Sequence, residues 1–289
     1  MPMRNVLVVA DPNFETSTAI EQAKKLSVSD DVKLHIVYFY YEDLRGLGSK
    51  GDALKQSLLT RLNDKASQQL QDILQDEIPY SFEIIWEENL HAWVSHYAQQ
   101  NNTDMVLKTG HRSETMFYTP TDWHLIRECP APVLIVAEKK WRKRSGILAA
   151  VDLQTDSPEK QKLNEKILAT SKYLAAVFDV PLHVCYTPVV SEILNDFGIQ
   201  FKDEIEDDAK QDIRNKVTFL AKTYGIALEN FHIKAGKPEK VIPSMAAELH
   251  VGLVVVGTVG RKGITGKLIG NTAEEILSLL KTNVLTLKP

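Results

Sequence analysis

Short runs of apolar residues recur along the whole chain, and many are continuous stretches of Val, Ile and Leu, such as Leu253–Val256. Continuous apolar runs are typical of parallel strands that are buried on both faces of a sheet. The runs predict strands at Asn5–Ala10, Val32–Phe39, Ser81–Trp86, Asp104–Thr109, Val133–Ala137, Gly146–Val151, Pro181–Thr187, Leu228–Ala235, Gly252–Gly257 and Val284–Lys288.

Between these runs, apolar positions recur every three or four residues, which predicts amphipathic helices. The stripes are Leu58, Leu62, Ala66 and Ile73; Leu163, Ile167, Thr170, Leu174 and Val177; and Ile213, Val217, Leu220 and Tyr224. Strands that alternate with helices predict an α/β fold with right-handed crossovers and an open, doubly wound, Rossmann-like sheet.

The second half of the pattern repeats the first. Val8–Asp11 matches Ala149–Asp152, and Val133–Val136 matches Val284–Leu287. A period this long indicates a duplicated domain rather than a solenoid. We therefore predict two tandem domains, residues 1–140 and 145–289, joined by a solvated linker that contains the basic run at 139–144.

Composition narrows the possible partners. The 289 residues carry a formal net charge of −4, which gives no electrostatic reason to expect a nucleic acid or an anionic membrane as partner. No apolar run approaches the roughly 20 residues that span a bilayer, and the N-terminus has no signal-peptide pattern. Cys129 and Cys185 form no metal or disulfide framework. We expect a cytoplasmic protein.

One stretch points to a ligand. The run Val254–Val256 ends in Gly257 and Gly260, and Gly270 opens a helix that Asn271 or Thr272 can cap. Glycines let the backbone approach an anion closely, and a helix N-terminus favours negative charge. Arg261, Lys262 and Lys267 could add charge pairing. Asp152, after the first strand of this half, would face the same crevice and could accept hydrogen bonds from a ribose or an adenine amino group.

Neither of two common phosphate motifs fits this stretch. The dinucleotide fingerprint should follow the first strand of a unit, where Asp152–Gln154 contains no glycine. The segment from Gly260 to Lys267 has one residue too many for a P-loop. Thr272 and Glu275 also form a capping-box pattern that needs no ligand. Spacing alone therefore leaves open whether the stretch binds phosphate or is a capped turn.

The chain resembles the universal stress protein family. Nucleotide-binding members carry a G-2x-G-9x-G-[ST] motif after the fourth strand and an Asp after the first, which Gly257, Gly260, Gly270 and Asp152 match. Asn271 stands where the family has Ser or Thr. The resemblance to tandem, E-type members covers essentially the whole chain and rests on Val9–Asn13, Phe117–Leu125 with Cys129–Pro130, Leu163–Lys166, Gly257–Arg261 and Gly270–Glu274.

The resemblance implies a five-stranded parallel sheet in each domain and a pseudo-two-fold, dimer-like pairing of the two domains. It also implies a stress-response regulatory protein that binds ATP or AMP in its C-terminal domain, with Mg²⁺ able to accompany ATP. Slow ATP hydrolysis is the most that the family implies as an activity. Two tandem chains could also form a homodimer.

The first half lacks the glycine motif. Its loop begins at Gly110, with Ser113 near the place of the second glycine, and Pro120 and Asp122 stand where the later glycine would be. Pro120 has no N–H, and Asp122 brings a negative charge to a helix N-terminus. We predict that this half does not bind nucleotide and serves as a pairing partner.

No Ser/His/Asp arrangement or carboxylate pair indicates a catalytic site. His111, His124 and Cys129 share no known metal-ligand spacing, so no metal site is predicted. The alternative function is an interaction scaffold, or a carrier of an apolar ligand, that uses the same fold without nucleotide. The aromatic run Tyr38–Tyr41 and the acidic run Asp203–Asp208 could then serve partners.

Overall fold

The computed structural model describes residues 3–14, 18–27, 32–75, 77–110, 120–137, 145–188, 202–258, 271–280 and 282–289. The chain divides into two units. We call the described residues up to 137 the first half and those from 145 onward the second half. The basic run at 139–144, predicted as a linker, lies outside the described residues.

The first half is a parallel sheet with the strand order β3-β2-β1-β4-β5. Its strands are β1 (Asn5–Val9), β2 (Lys33–Tyr40), β3 (Tyr80–Trp86), β4 (Met105–Gly110) and β5 (Val133–Ala137). Its helices are α1 (Thr18–Leu26), α2 (Ser49–Leu74), α3 (Leu90–Gln100) and α4 (Pro120–Glu128).

The second half repeats this order as β8-β7-β6-β9-β10, also parallel. Its strands are β6 (Ile147–Ala150), β7 (Leu182–Tyr186), β8 (Phe231–Ile233), β9 (Leu253–Gly257) and β10 (Asn283–Leu287). Its helices are α5 (Pro158–Phe178), α6 (Lys202–Tyr224), α7 (Pro238–Glu248) and α8 (Asn271–Leu279). The predicted fold class, two doubly wound α/β domains with five-stranded parallel sheets, is confirmed.

Continuous apolar strands form the core of each half. Val6–Val9 of β1 and Leu253–Val256 of β9 are almost completely buried. The stripe predicted on α5 is buried at Leu163, Ile167 and Leu174. Among the described residues, no helix is long and apolar enough to cross a membrane.

One predicted strand is shorter than expected. The prediction covered Leu228–Ala235, but Leu228–Asn230 forms a 3-10 turn and only Phe231–Ile233 pairs with β7. The turn closes through a hydrogen bond from Asn230 N to Ala227 O (3.0 Å). Glu and Asn are poorly suited to strands, which explains why the ladder starts at Phe231.

Strand register aligns the two halves residue by residue. Val8 of β1 is the partner of Leu107, and Ala149 of β6 is the partner of Val255. Since Val8 and Ala149 each precede the matching aspartates by three residues, Leu107 corresponds to Val255. Two residues further along, Thr109 corresponds to Gly257.

Candidate functional site

The strand order of the second half reverses between β6 and β9, which are paired neighbours. In open α/β sheets, ligands bind beyond the carboxyl ends of the strands at such a point. A cleft of about 360 Å³ opens there. It is lined by Ala150, Val151, Asp152, Lys160, Leu163, Asn164, Ile167, Cys185, Tyr186, Thr187, Pro238, Ile242, Val256, Gly257, Ala273 and Ile276.

Asp152 follows β6 at one side of the cleft, and Asn164 of α5 fixes its backbone. The Asn164 side chain donates to Asp152 O (2.7 Å) and accepts from Asp152 N (3.1 Å). The carboxylate itself is 45% exposed and lies 3.3 Å from Lys160 Nζ. Because an exposed ion pair of this kind is weak, a ligand can replace Lys160 as the partner of the carboxylate.

Gly257 ends β9 at the opposite side of the cleft. A Cβ atom at this position would lie 2.5 Å from Leu163 Cδ2 and 3.2 Å from Ile167 Cδ1. Real Cβ atoms do not approach carbon this closely, so any side chain here would displace α5 residues that line the cleft. A side chain at position 257 therefore requires Leu163 and Ile167 to move at the wall of the cleft.

Tyr186 and Cys185, at the end of β7, supply a third wall. The Tyr186 hydroxyl donates to Gln154 Oε1, and burial raises the pKa of Tyr186 to about 12, so it remains a neutral donor. Burial also raises the pKa of the Cys185 thiol to about 11. Since the thiolate is the nucleophilic form of cysteine, Cys185 is not an activated nucleophile at neutral pH.

The structure thus brings together two of the predicted site residues, Asp152 and Gly257. Gly260, Arg261 and Gly270 lie outside the described residues. Helix α8 begins at Asn271, so Thr272 lies in its first turn rather than before the helix. Two further residues of α8, Ala273 and Ile276, line the cleft. The assignment of these residues to nucleotide binding stays a prediction.

Comparison with known proteins identifies the family. The model of the universal stress protein family matches residues 2–137 and again residues 144–288. The chain belongs to the universal stress protein family. The expected resemblance to tandem, E-type members of the family is confirmed by this double match and by the relatives below.

Universal stress protein E of Escherichia coli K12 is 31% identical over 300 residues, covering 99% of this chain and 94% of the relative. The universal stress protein E homolog of Haemophilus influenzae is 29% identical over 304 residues, covering 100% and 98%. A solved structure of a functionally unknown protein from Pseudomonas aeruginosa PAO1 has a TM-score of 0.76 and 27% identity, covering 99% of this chain and 93% of its own.

Some residues of this universal stress protein cleft were not predicted from sequence. Asn164 lies within the Leu163–Lys166 segment, which supported the family resemblance, but no role in the site was predicted for it. Lys160 lies one turn earlier on α5, four residues from Asn164, and this spacing places both on one helix face. That spacing is the signal that could have found the pair.

The first half closes the equivalent position with its own side chains. Thr109, which corresponds to Gly257, donates its hydroxyl to Asp11 Oδ2 (2.8 Å), and Asp11 is 4% exposed. Register matches Thr109, rather than the adjacent Gly110, to Gly257. The strand β4 runs one residue further than the predicted Asp104–Thr109, so that Gly110 is its last residue.

The second difference is a buried ion pair. Lys108 Nζ lies 2.9 Å from Asp122 Oδ1 and donates to Thr109 O (2.9 Å). The Asp122 side chain is fully buried in the first turn of α4. Sequence predicted that the charge of Asp122 would oppose a phosphate, but Lys108 already compensates this charge. The first turn of α4 therefore carries an internal ion pair between Asp122 and Lys108.

The third difference concerns matching tyrosines. By register, Tyr38 of β2 corresponds to Tyr186 of β7. Tyr186 lines the open cleft, whereas Tyr38 is fully buried and stacks with Phe14 at a centroid distance of 5.3 Å. Phe14 therefore covers in the first half a side chain that faces the cleft in the second.

Proposed function

We propose that this universal stress protein is a stress-response regulator that binds an adenine nucleotide, ATP or AMP, in the cleft of its second half. The observation that carries the proposal is the joint placement of Asp152 and Gly257 on one cleft at the carboxyl ends of β6 and β9. A volume of about 360 Å³ lies within the range of small-molecule pockets, roughly 300–1,000 Å³.

The chemistry of the walls supports a nucleoside. Aliphatic side chains of Leu163, Ile242 and Val256 offer an apolar surface for a purine base. The Asp152 carboxylate can accept hydrogen bonds from ribose hydroxyls or from the adenine amino group. Lys160, released from Asp152, can pair with a phosphate. Gly260 and Gly270 would hold the phosphates according to the family motif, Arg261 could add charge pairing, and Mg²⁺ could accompany ATP.

We further propose that the bound state, rather than rapid turnover, is the output of the site. Cys185 lines the cleft but its raised pKa removes it as a nucleophile. In the proposed complex Asp152 binds the ribose or the adenine amino group, so it is not the base that activates a water at the phosphates. Slow hydrolysis by water is the most that this arrangement supports.

Isothermal titration with ATP and AMP, using the full chain and matched variants, tests the proposal. Asp152→Asn should weaken binding at least tenfold, about 1.4 kcal/mol. The control is Asp11→Asn at the corresponding position of the first half, which should leave binding unchanged. Thermal melts verify that each variant is folded.

Two outcomes would contradict the proposal. Absence of heat at millimolar ATP with folded protein would exclude nucleotide binding and favour a scaffold or apolar-ligand carrier. A fluorescent apolar probe that binds the wild type but not Gly257→Val would then identify the carrier. Equal losses from Asp152→Asn and Asp11→Asn would contradict the assignment to the second half.

A further inference from the structure

A group of metal-ligating side chains lies in the first half, apart from the cleft. His91 is in the first turn of α3, and His124 and Glu128 are one turn apart on α4. One ligand atom from each of the three residues lies within 4.8 Å of the other two. The sequence prediction considered His124 only together with His111 and Cys129; Cys129 is fully buried, and His111 lies outside the described residues.

The distances are close to those of a coordination sphere. His124 Nδ1 lies 3.1 Å from Glu128 Oε1. In a tetrahedral zinc site with bonds of about 2.0–2.1 Å, neighbouring ligand atoms lie roughly 3.3 Å apart. The rings of His91 and His124 are stacked with centroids 4.2 Å apart. Because an imidazole nitrogen binds a metal in the plane of its ring, the two rings have to turn out of this stacked arrangement to share one cation.

The backbone that carries these side chains is well anchored. The Asn89 side chain caps α3 by accepting a hydrogen bond from Ala92 N (3.1 Å), one residue after His91. On α4, Leu125 and Ile126 are completely buried between the two ligand positions. A site on packed helices holds its ligands more firmly than a site on loops.

We propose that His91, His124 and Glu128 bind a divalent zinc-like cation, with water completing the coordination. Two imidazoles and one carboxylate suit Zn²⁺, whereas Mg²⁺ and Ca²⁺ require oxygen ligands. The His124 side chain is 43% exposed and that of Glu128 is 21% exposed, so the cation can enter from solvent. The site does not depend on nucleotide binding in the second half.

Titration of the metal-free full chain with Zn²⁺, followed by calorimetry, tests this site. The wild-type chain should bind with an affinity at least tenfold higher than His91→Ala or His124→Ala, since loss even of groups that only orient a ligand costs about 10- to 100-fold. His96→Ala is the matched control, because His96 is exposed on the same helix α3. It should bind Zn²⁺ like the wild type.

A second measurement compares the melting temperature of each variant with and without Zn²⁺, so that a change in stability caused by the substitution itself is not counted as metal binding. Zn²⁺ should raise the melting temperature of the wild type and of His96→Ala, but not that of Glu128→Gln, which keeps the shape of the side chain. Equal Zn²⁺ affinity in the wild type and in the His91 and His124 variants would overturn the proposal. So would an equal loss from His96→Ala.

Discussion

Corresponding backbone positions at the ends of the fourth strands carry Thr109 in the first half and Gly257 in the second. The Thr109 hydroxyl binds the matching aspartate, Asp11, whereas Gly257 leaves Asp152 half-exposed on an open cleft. Beside them, Lys108 forms a buried pair with Asp122, while its counterpart, Val256, offers only an apolar wall. The same fold thus buries this carboxylate in one half and leaves it half-exposed on a cleft in the other.

This difference shows that side chains at the switch point can change without a change in the strand order of the sheet. Both halves keep the same strand order and the same register. Among the described residues, the halves differ at this point in the side chains of Thr109 and Lys108 compared with Gly257 and Val256. Exchange of those side chains therefore tests which of them separates the two halves.

The largest effect is expected from Lys108→Ala. Removal of one partner of a buried ion pair leaves an uncompensated charge, and the fully buried Asp122 should then cost about 3–5 kcal/mol of unfolding free energy. Urea denaturation measures this. Lys65→Ala, on the exposed face of α2, is the control and should change stability by less than about 0.5 kcal/mol.

Replacement of both members of the ion pair tests whether the loss comes from the unpaired charge of Asp122. Lys108→Met combined with Asp122→Leu removes both charges and should recover much of the loss. If the single Lys108→Ala variant proves as stable as the wild type, the ion pair does not stabilise the first half.

Gly257→Thr places the first-half residue in the second half. Its Cβ would clash with Leu163, so we expect the cleft to narrow and ATP to bind at least tenfold more weakly. Overpacking should also cost about 1–3 kcal/mol of stability. Calorimetry and urea denaturation measure the two effects. Gly46→Ala is the control, since a Cβ there meets nothing within 4 Å.

Unchanged ATP affinity in a folded Gly257→Thr protein would mean that the absence of a side chain at position 257 does not explain nucleotide binding in the second half. Loss of affinity in Gly46→Ala would mean that the assay reports general destabilisation.

Thr109→Val makes the opposite change in the first half while keeping the volume of the side chain. The Asp11 carboxylate loses one donor, so we expect a loss of about 1–1.5 kcal/mol in urea denaturation and no change in ATP binding. Thr60→Val is the control, because its hydroxyl bonds only within exposed α2. A change in ATP affinity from Thr109→Val would contradict the separation of roles.

The sequence was sufficient to predict the sheets but only part of the site. Continuous apolar runs located every strand described here, and the switch-point rule placed Asp152 near Gly257. The end of β4 was predicted one residue too early, because strand ends cannot be located to one residue from apolarity alone. The Asn164 contacts depend on how α5 packs against the loop after β6.

Contacts between elements that are distant in the sequence were even harder to predict. His91 precedes His124 by more than thirty residues, so the sequence shows only the i,i+4 spacing of His124 and Glu128. Only the packing of α3 beside α4 brings them together. Lys108 likewise looks like a surface residue that interrupts a strand, until Asp122 is placed beside it.

The smallest effect concerns a second matched pair, His35 of β2 and His183 of β7, which correspond by register. Burial lowers the pKa of both below the ordinary 6.5. Glu83, 3.6 Å from His35, partly restores its pKa, whereas His232, 3.1 Å from His183, lowers that pKa further. We therefore expect His183 to titrate at a lower pH than His35.

The consequence for stability follows from this direction of shift. A histidine with a lowered pKa in the folded state favours the neutral form, so its contribution is fully present above pH 6.5 and is lost as the pH falls through the lowered pKa. NMR titration of labelled histidines, assigned by single substitutions, measures both values. His232→Asn should raise the pKa of His183, and Glu83→Gln should lower that of His35. The reverse order of the two pKa values would show that the neighbouring charges do not distinguish the two halves at this position.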